Sequence, residues 1–178
     1  MKLVSMVVAL ATAALLAAGG RSAGVAAQGG LARLAGTSGC ISQTAPGEDP
    51  IKGCARGIGL LGLAGIAVST DGLNAYVASY DSNAVASFTR DQSTGALKEQ
   101  NCVSANGTSG IDGTKGACAD GNALAGAGSI AISPDNAFVY ATSAGADGIA
   151  IFAKGARGLT EIGCVRSVRT CVKASALS

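Results

Sequence analysis

Short apolar runs alternate with small or polar residues from Ile66 onward, and Asp, Asn and Gly separate them. Ile66 and Val68 alternate with small residues, Thr70-Asp71-Gly72 reads as a turn, and Ala75 to Ser79 carries Tyr76 and Val77. Asp81-Ser82-Asn83 turns the chain again ahead of a run from Ala84 to Thr89 that includes Phe88. Asp91 to Gly95 is a further turn, and Leu97 to Val103 is a fourth run. Period-two runs of this length, punctuated by turn formers, predict four antiparallel strands. After the N-terminal segment no stretch holds a long helical stripe, and a short helix over Gly57 to Ala64 is the one helical alternative.

The pattern is then stated again. Ile66 to Phe88 and Ile130 to Phe152 match element by element at an offset of 64 residues: Ile66 with Ile130, Val68 with Ile132, Ser69 with Ser133, Asp71 with Asp135, Tyr76 with Tyr140, Ser79 with Ser143, Val85 with Ile149. Self-similarity at a fixed period marks a repeat architecture. The second copy predicts strands from Ser129 through Phe152 and a last strand over Leu159 to Val165. Tyr76, Tyr140, Phe88 and Phe152 are the largest apolar groups of the two copies and are expected in their cores.

Cysteine follows the same rhythm. Cys40, Cys102 and Cys164 stand 62 residues apart, and each has a later companion, Cys54, Cys118 and Cys171. An even count at equivalent places of a repeat reads as a disulfide framework. Of the roughly fifteen connectivities six cysteines allow, the repeat favours Cys40–Cys54, Cys102–Cys118 and Cys164–Cys171. A structural zinc site is the rival reading, but the chain has no CxxC spacing and no His.

Composition narrows the picture further. The chain has 178 residues, 27 of them Gly, with 3% aromatic and 13% charged. Such a chain packs small side chains at close backbone approach, so the core is thin for its length and cross-links matter. Met1-Lys2 precedes an uncharged apolar run from Leu3 to Ala18, and Val25-Ala26-Ala27 fits a small-residue cleavage site. This is the layout of an export signal; a membrane anchor would need ~20 apolar residues. The expected location is secreted or extracytoplasmic, with membrane contact only through the signal. Without residues 1–27 the chain has 11 basic and 11 acidic residues, which gives nucleic acid no electrostatic purchase. The mildly basic stretch from Lys154 onward, with Arg157, Arg166, Arg169, Lys173 and a single acid, Glu161, reads as solvated surface.

The strand, the turn Ser69-Thr70-Asp71-Gly72, the strand Ala75-Tyr76-Val77-Ala78-Ser79, the strand Ser82-Asn83-Ala84-Val85-Ala86 and the turn Thr94-Gly95-Ala96-Leu97 together resemble a blade of the YVTN-repeat, lactonase-like β-propellers. Ser133-Pro134-Asp135-Asn136 and Val139-Tyr140-Ala141-Thr142-Ser143 carry the resemblance into the second copy. It implies an all-β chain of propeller-type repeats, with two four-stranded antiparallel blades, partial flanking units and an incomplete ring, since propellers close with about 4–8 blades. The expected boundaries are a signal over 1–27, a leading outer strand over 28–39, repeat units over 40–101 and 102–163, and a truncated third unit over 164–178. A part of a longer propeller, a ring finished by assembled copies, and a decayed coding sequence are the three origins open to such a chain. Open blade edges predict self-association.

The resemblance also implies sugar-lactone hydrolysis, which needs a general base or a metal-bound hydroxide together with oxyanion stabilisation. The sequence offers no His, and its acids Asp71, Asp81, Asp91, Asp112, Asp120 and Asp135 lie in turns. Asp71 and Asp135 recur at equivalent places, as a turn requirement produces and a catalytic acid does not. Asp112-Gly113 and Asp120-Gly121 flank Cys118 without the ligand spacing of a calcium loop. Asn106-Gly107-Thr108 has the form of a glycosylation acceptor, and Asp147-Gly148 that of a hairpin turn. No catalytic, cofactor or metal residue is therefore assigned. The expectation is a non-catalytic binding or structural module with a protein or carbohydrate ligand; the alternative is a fragment of a lactonase-like hydrolase whose active residues lie elsewhere.

Overall fold

Residues that tolerate a left-handed backbone fix where the strands end. Gly72 (φ 70°) and its counterpart Asn136 (φ 58°) occupy one repeated turn, and Asn83 (φ 51°) and Asp147 (φ 47°) close the next. Side chains other than Gly, Asn and Asp seldom adopt that region, so the turn chemistry is specified twice by sequence. The computed structural model describes residues 32–44, 51–110, 113–167 and 170–171. The export signal expected over 1–27 lies outside the described residues, as do Asp112, Pro46 and Pro50.

Between these turns run the strands β1 (Ile41–Ser42), β2 (Ala55–Arg56), β3 (Leu63–Val68), β4 (Asn74–Ser79), β5 (Ala84–Arg90) and β6 (Leu97–Ser104). They continue with β7 (Ala119–Asp120), β8 (Ala127–Ile132), β9 (Phe138–Ser143), β10 (Gly148–Gly155), β11 (Gly158–Arg166) and β12 (Thr170–Cys171). Two five-stranded sheets result, β3 to β7 and β8 to β12, each in chain order, with β1 and β2 as a separate pair. The four long strands of each sheet are antiparallel neighbours. The short companions β2 and β7 pair in parallel with β1 and β6. Even the irregularities repeat: the register slips at Ser87/Phe88 in the first sheet and at Ile151/Phe152 in the second. Sequence period and backbone geometry thus coincide, and the fold is all-β with propeller-type blades in a ring that does not close.

The larger core lies between the sheets. Tyr76, Val85 and Val103 from the first meet Val139, Ala141, Ala150, Phe152 and Leu159 from the second, with Leu124 from the connecting loop. A smaller core on the far face of the first sheet gathers Leu60, Ala75, Val77, Ala86 and Phe88 around the Cys102 and Cys118 sulfurs, with Ile41 beside them. At about 25 cal/mol per Å² of apolar surface such small side chains each contribute little, so covalent staples carry a large share of the stability.

Four expectations are corrected. In place of a leading strand, the described residues 32–39 hold a 3₁₀ turn at Gly36–Gly39, because Gly-Thr-Ser-Gly supplies turn formers and Gly36 sits at φ 63°. Among the described residues the first strand is β1, beyond the cysteine. Over Gly57 to Ala64 there is no helix: Gly59 and Gly62 have φ of 71° and 65°, and β3 starts at Leu63. Glu161 is not solvated surface but buried within β11, where the Asn122 amide donates to it. Tyr140 is only partly buried although Tyr76 is fully buried, because a second sheet covers the face of the first that carries Tyr76, whereas none among the described residues covers the outer face of the second. Cys102 and Cys164 lie within β6 and β11, the fourth long strand of each sheet.

Candidate functional site

The repeated acids are consumed by their own turns. Asp71 Oδ1 accepts hydrogen bonds from Ser69 Oγ at 2.5 Å and Leu73 N at 2.9 Å. Asp135 Oδ1 accepts from Ser133 Oγ and from Ala137 N at 3.0 Å. Asp91 Oδ1 accepts from Ser93 Oγ, Thr94 N and Thr94 Oγ1 at 2.6, 2.7 and 2.9 Å. Hydrogen bonds that favour the ionised form hold all three below the usual carboxylate range. The Ser69 hydroxyl is the leading cause for Asp71 and the Ser133 hydroxyl for Asp135, while the Ser93 hydroxyl leads in taking Asp91 down to about 2. Carboxylates so stabilised as anions are poor proton acceptors near neutrality.

The same turns also join the sheets. Asn136, next to Asp135, accepts from Thr70 N at 2.9 Å and donates from Nδ2 to Thr70 Oγ1 at 2.7 Å. Lys154 Nζ lies 3.4 Å from Asp71 Oδ2, so Lys154 spans from the second sheet to the turn of the first. Asn101, beside the irregularity in β6, also joins the two sheets: its Oδ1 accepts from Ser87 Oγ at 2.6 Å and Leu159 N at 2.9 Å, and its Nδ2 donates to Leu159 O at 2.8 Å.

Two carboxylates missed in the sequence reading occupy a more telling place. Glu99 on β6 accepts from Ile58 N at 3.0 Å, and Glu161 on β11 accepts from Asn122 N at 2.7 Å. Each ties the fourth strand of a sheet to the loop that follows a cysteine bridge. Burial is the main cause that pushes Glu99 up to about 7, with the Ile58 amide opposing it. A carboxyl with that value is poised for proton transfer near neutral pH. It lines an open pocket of about 430 Å³ with Ile58, Gln100, Asn101, Cys102 and Cys118. The signal was present in the paired stretches Leu97-Lys98-Glu99 and Leu159-Thr160-Glu161, each followed three residues later by Cys.

Cys102 and Cys164 lie on the fourth long strands β6 and β11, and Cys40 immediately precedes β1; each is bridged beside the short companion of its strand. Cys40 is joined to Cys54 and Cys102 to Cys118 with Cα atoms 4.8 Å apart, and Cys164 to Cys171 at 4.9 Å. Asp81 lies in the turn after β4, and Asp120 ends β7. Among the described residues no group of three or more His, Cys, Asp or Glu is placed to hold a metal ion. Asn106 is exposed, and its Oδ1 accepts from the buried Thr108 hydroxyl at 2.7 Å. Beside β1 the far face of the first sheet opens an apolar pocket of about 300 Å³, lined among others by Ile41, Leu60, Ile66, Val77, Phe88 and Leu97.

Repeated sheets of four long antiparallel strands with a short fifth, stacked face to face and each stapled by a disulfide at its fourth strand, define a propeller-repeat protein. The model of the family described as lactonase, 7-bladed beta-propeller, matches residues 65–169, more than half of the chain, and the chain belongs to that family. Solved structures similar to it include a putative 6-phosphogluconolactonase from Bacteroides uniformis (27% identity, TM-score 0.46, covering 60% of this chain and 27% of that one). A second putative 6-phosphogluconolactonase, from Bacteroides fragilis, is 30% identical with a TM-score of 0.43, over 57% of this chain and 25% of that one. A periplasmic gluconolactonase from Pseudomonas aeruginosa is 19% identical with a TM-score of 0.44, over 62% and 28%. The chain thus spans about a quarter of the length of these structures. No curated protein matches it.

Proposed function

We propose that this chain is an exported, disulfide-stapled pair of propeller blades that works as a non-catalytic binding or structural module, with a protein or carbohydrate ligand. The observation that carries the reading is the employment of its carboxylates. Asp71, Asp91 and Asp135 each hold a turn, and Glu99 and Glu161 hold the same backbone position in successive repeats. A group required by the fold recurs with the fold; a catalytic acid has no reason to. The three disulfides are compatible with an oxidising, extracytoplasmic location. Among the described residues no helix is long and apolar enough to cross a membrane.

A second reading is favoured by the family match: the chain contributes two blades to a lactone-hydrolysing propeller whose reacting groups lie on others. Both readings expect the purified chain to leave 6-phosphogluconolactone and gluconolactone at their spontaneous rates of opening, followed by proton release. Turnover above that rate which disappears in Glu99→Gln would overturn the non-catalytic reading and make Glu99 a general base.

A further inference from the structure

Asn106 and Gly107 form the one Asn-Gly step in the sequence. They lie in the loop that leaves β6 and is closed by the Cys102–Cys118 bridge. Glycine after asparagine matters chemically, because no Cβ shields its nitrogen from the carboxamide before it. A peptide nitrogen so placed attacks the carboxamide carbon and closes a cyclic imide, at a rate set by how well the backbone holds the two groups together.

This loop holds them together with an Asx turn. Asn106 Oδ1 accepts from Thr108 N at 3.2 Å and from Thr108 Oγ1 at 2.7 Å. The first bond closes a ring through the Asn106 side chain and the Gly107 peptide, which folds the carboxamide carbon back over the Gly107 nitrogen. Both donors sit on the oxygen where negative charge develops during attack, the arrangement an oxyanion hole supplies. The Thr108 hydroxyl has Gly110 O as its other acceptor at 3.2 Å, and the shorter contact to Asn106 takes the proton.

The nucleophile, by contrast, is lightly held. Gly107 N reaches Ser104 O only at 3.4 Å, so little hydrogen-bond energy is lost when it gives up its proton. The surrounding loop is fixed: Gly116 N donates to Gly107 O at 2.9 Å, and Ser104 Oγ donates to Thr108 O at 2.8 Å. Asn106 is exposed while Gly107 and Thr108 are buried. Water therefore reaches the leaving amide while the attacking peptide stays in position.

We propose that Asn106 is a self-modification site, converted in the folded chain to a succinimide and then to isoaspartate and aspartate with the help of Thr108. Gly107 N loses its proton to solvent and bonds to Asn106 Cγ. The Cγ–Nδ2 bond breaks, and Nδ2 takes up a proton and leaves as ammonia. Water then opens the imide. Attack at the main-chain carbonyl gives isoaspartate, and attack at Cγ gives aspartate, so water is the only co-reactant. Either product puts a carboxylate where a neutral group stood, and isoaspartate reroutes the main chain through the side chain and undoes the Asx turn. The inference goes beyond the binding-module reading and does not depend on it.

The test uses the purified full chain with its bridges intact, incubated near neutral pH beside the same chain reduced and unfolded in guanidinium. Tryptic digestion in weak acid isolates residues 99–115, which lie between Lys98 and the cleavage after Lys115. The expected result is the mass gain of an amide-to-acid exchange at Asn106, with isoaspartate identified by enzymatic carboxyl methylation. It should appear at least as fast in the folded chain as in the unfolded one. Thr108→Val should slow the folded chain about fivefold, the worth of one hydrogen bond, and leave the unfolded chain unchanged, while Thr108→Ser restores the rate. Slower conversion in the folded native chain than in the unfolded one would overturn the proposal. So would a folded Thr108→Val chain that converts as fast as the native one. Should Thr108→Val fail to fold, the comparison of folded with unfolded native chain decides without any substitution.

Discussion

Glu99 shows how one half-buried side chain couples this fold to pH. An ordinary glutamate loses its proton near 4.5, and this one keeps it to about 7. The folded chain therefore binds more protons than the unfolded chain between those values. Its contribution is most favourable below about 4.5 and is lost as pH rises through about 7. Urea unfolding should show stability declining over that window, by no more than ~1.4 kcal/mol per pH unit, and Glu99→Gln should flatten the decline. An unchanged slope in the variant would mean that the carboxylate is better solvated than its burial implies. Gly158 tests close packing at the same scale. It adopts φ 107°, and an added Cβ would meet the Asn101 side chain and the Ser87 hydroxyl. Gly158→Ala should cost about 1–3 kcal/mol through backbone strain and through displacement of Asn101 from its bonds to Leu159. Thermal unfolding would register this as a lower midpoint, and an unchanged midpoint would show that Asn101 yields without cost.

Among the elements, the long strands were legible because each states its alternation over six or more residues and is bounded by turn formers. Their predicted ends differ from the observed ones by a few residues at most. The two-residue strands β1, β2, β7 and β12 were not legible, since two residues carry no period and their pairing is set by the neighbouring disulfide rather than by side-chain pattern. Glu161 was misplaced for a related reason. A lone acid in a basic stretch reads as solvent-facing until the loop whose amide it caps is folded against it. The candidate site was the least legible of all: repetition explains Asp71 and Asp135, but only coordinates show that Glu99 and Glu161 receive backbone donors. The bridges can be tested as elements. Replacing Cys102 and Cys118 with Ser should lower stability by roughly 3 kcal/mol, from the loop-closure entropy of a bridge spanning ~15 residues. Peptide mapping without reduction should meanwhile recover Cys40 with Cys54 in the variant. Recovery of Cys40 in a mixture of pairings would show that the bridges depend on one another.

At the scale of the whole molecule, the two outer faces differ in kind. The far face of the first sheet is partly covered by Ile41 and Leu60, which leaves an apolar pocket beside them. The outer face of the second sheet has no cover among the described residues. Its outward positions Phe138, Tyr140, Ile149, Ile151 and Val165 are apolar, with Ile149 and Val165 40% and 50% exposed. Their counterparts Tyr76, Val85 and Val103 are buried against another sheet. The same surface chemistry, placed in water, is an association surface. Light scattering should therefore show the mean mass rising with concentration over a roughly hundredfold range, with a second copy of the chain as the partner. The double substitution Ile149→Lys and Val165→Lys puts like charges on that face without touching the core. It should return the protein to monomer while leaving the methyl and aromatic resonances of the first sheet in place. Association that persists in the double variant would assign the contact to the edge of β1 instead, whereas a strictly monomeric native chain would mean that the second sheet tolerates its apolar face in water.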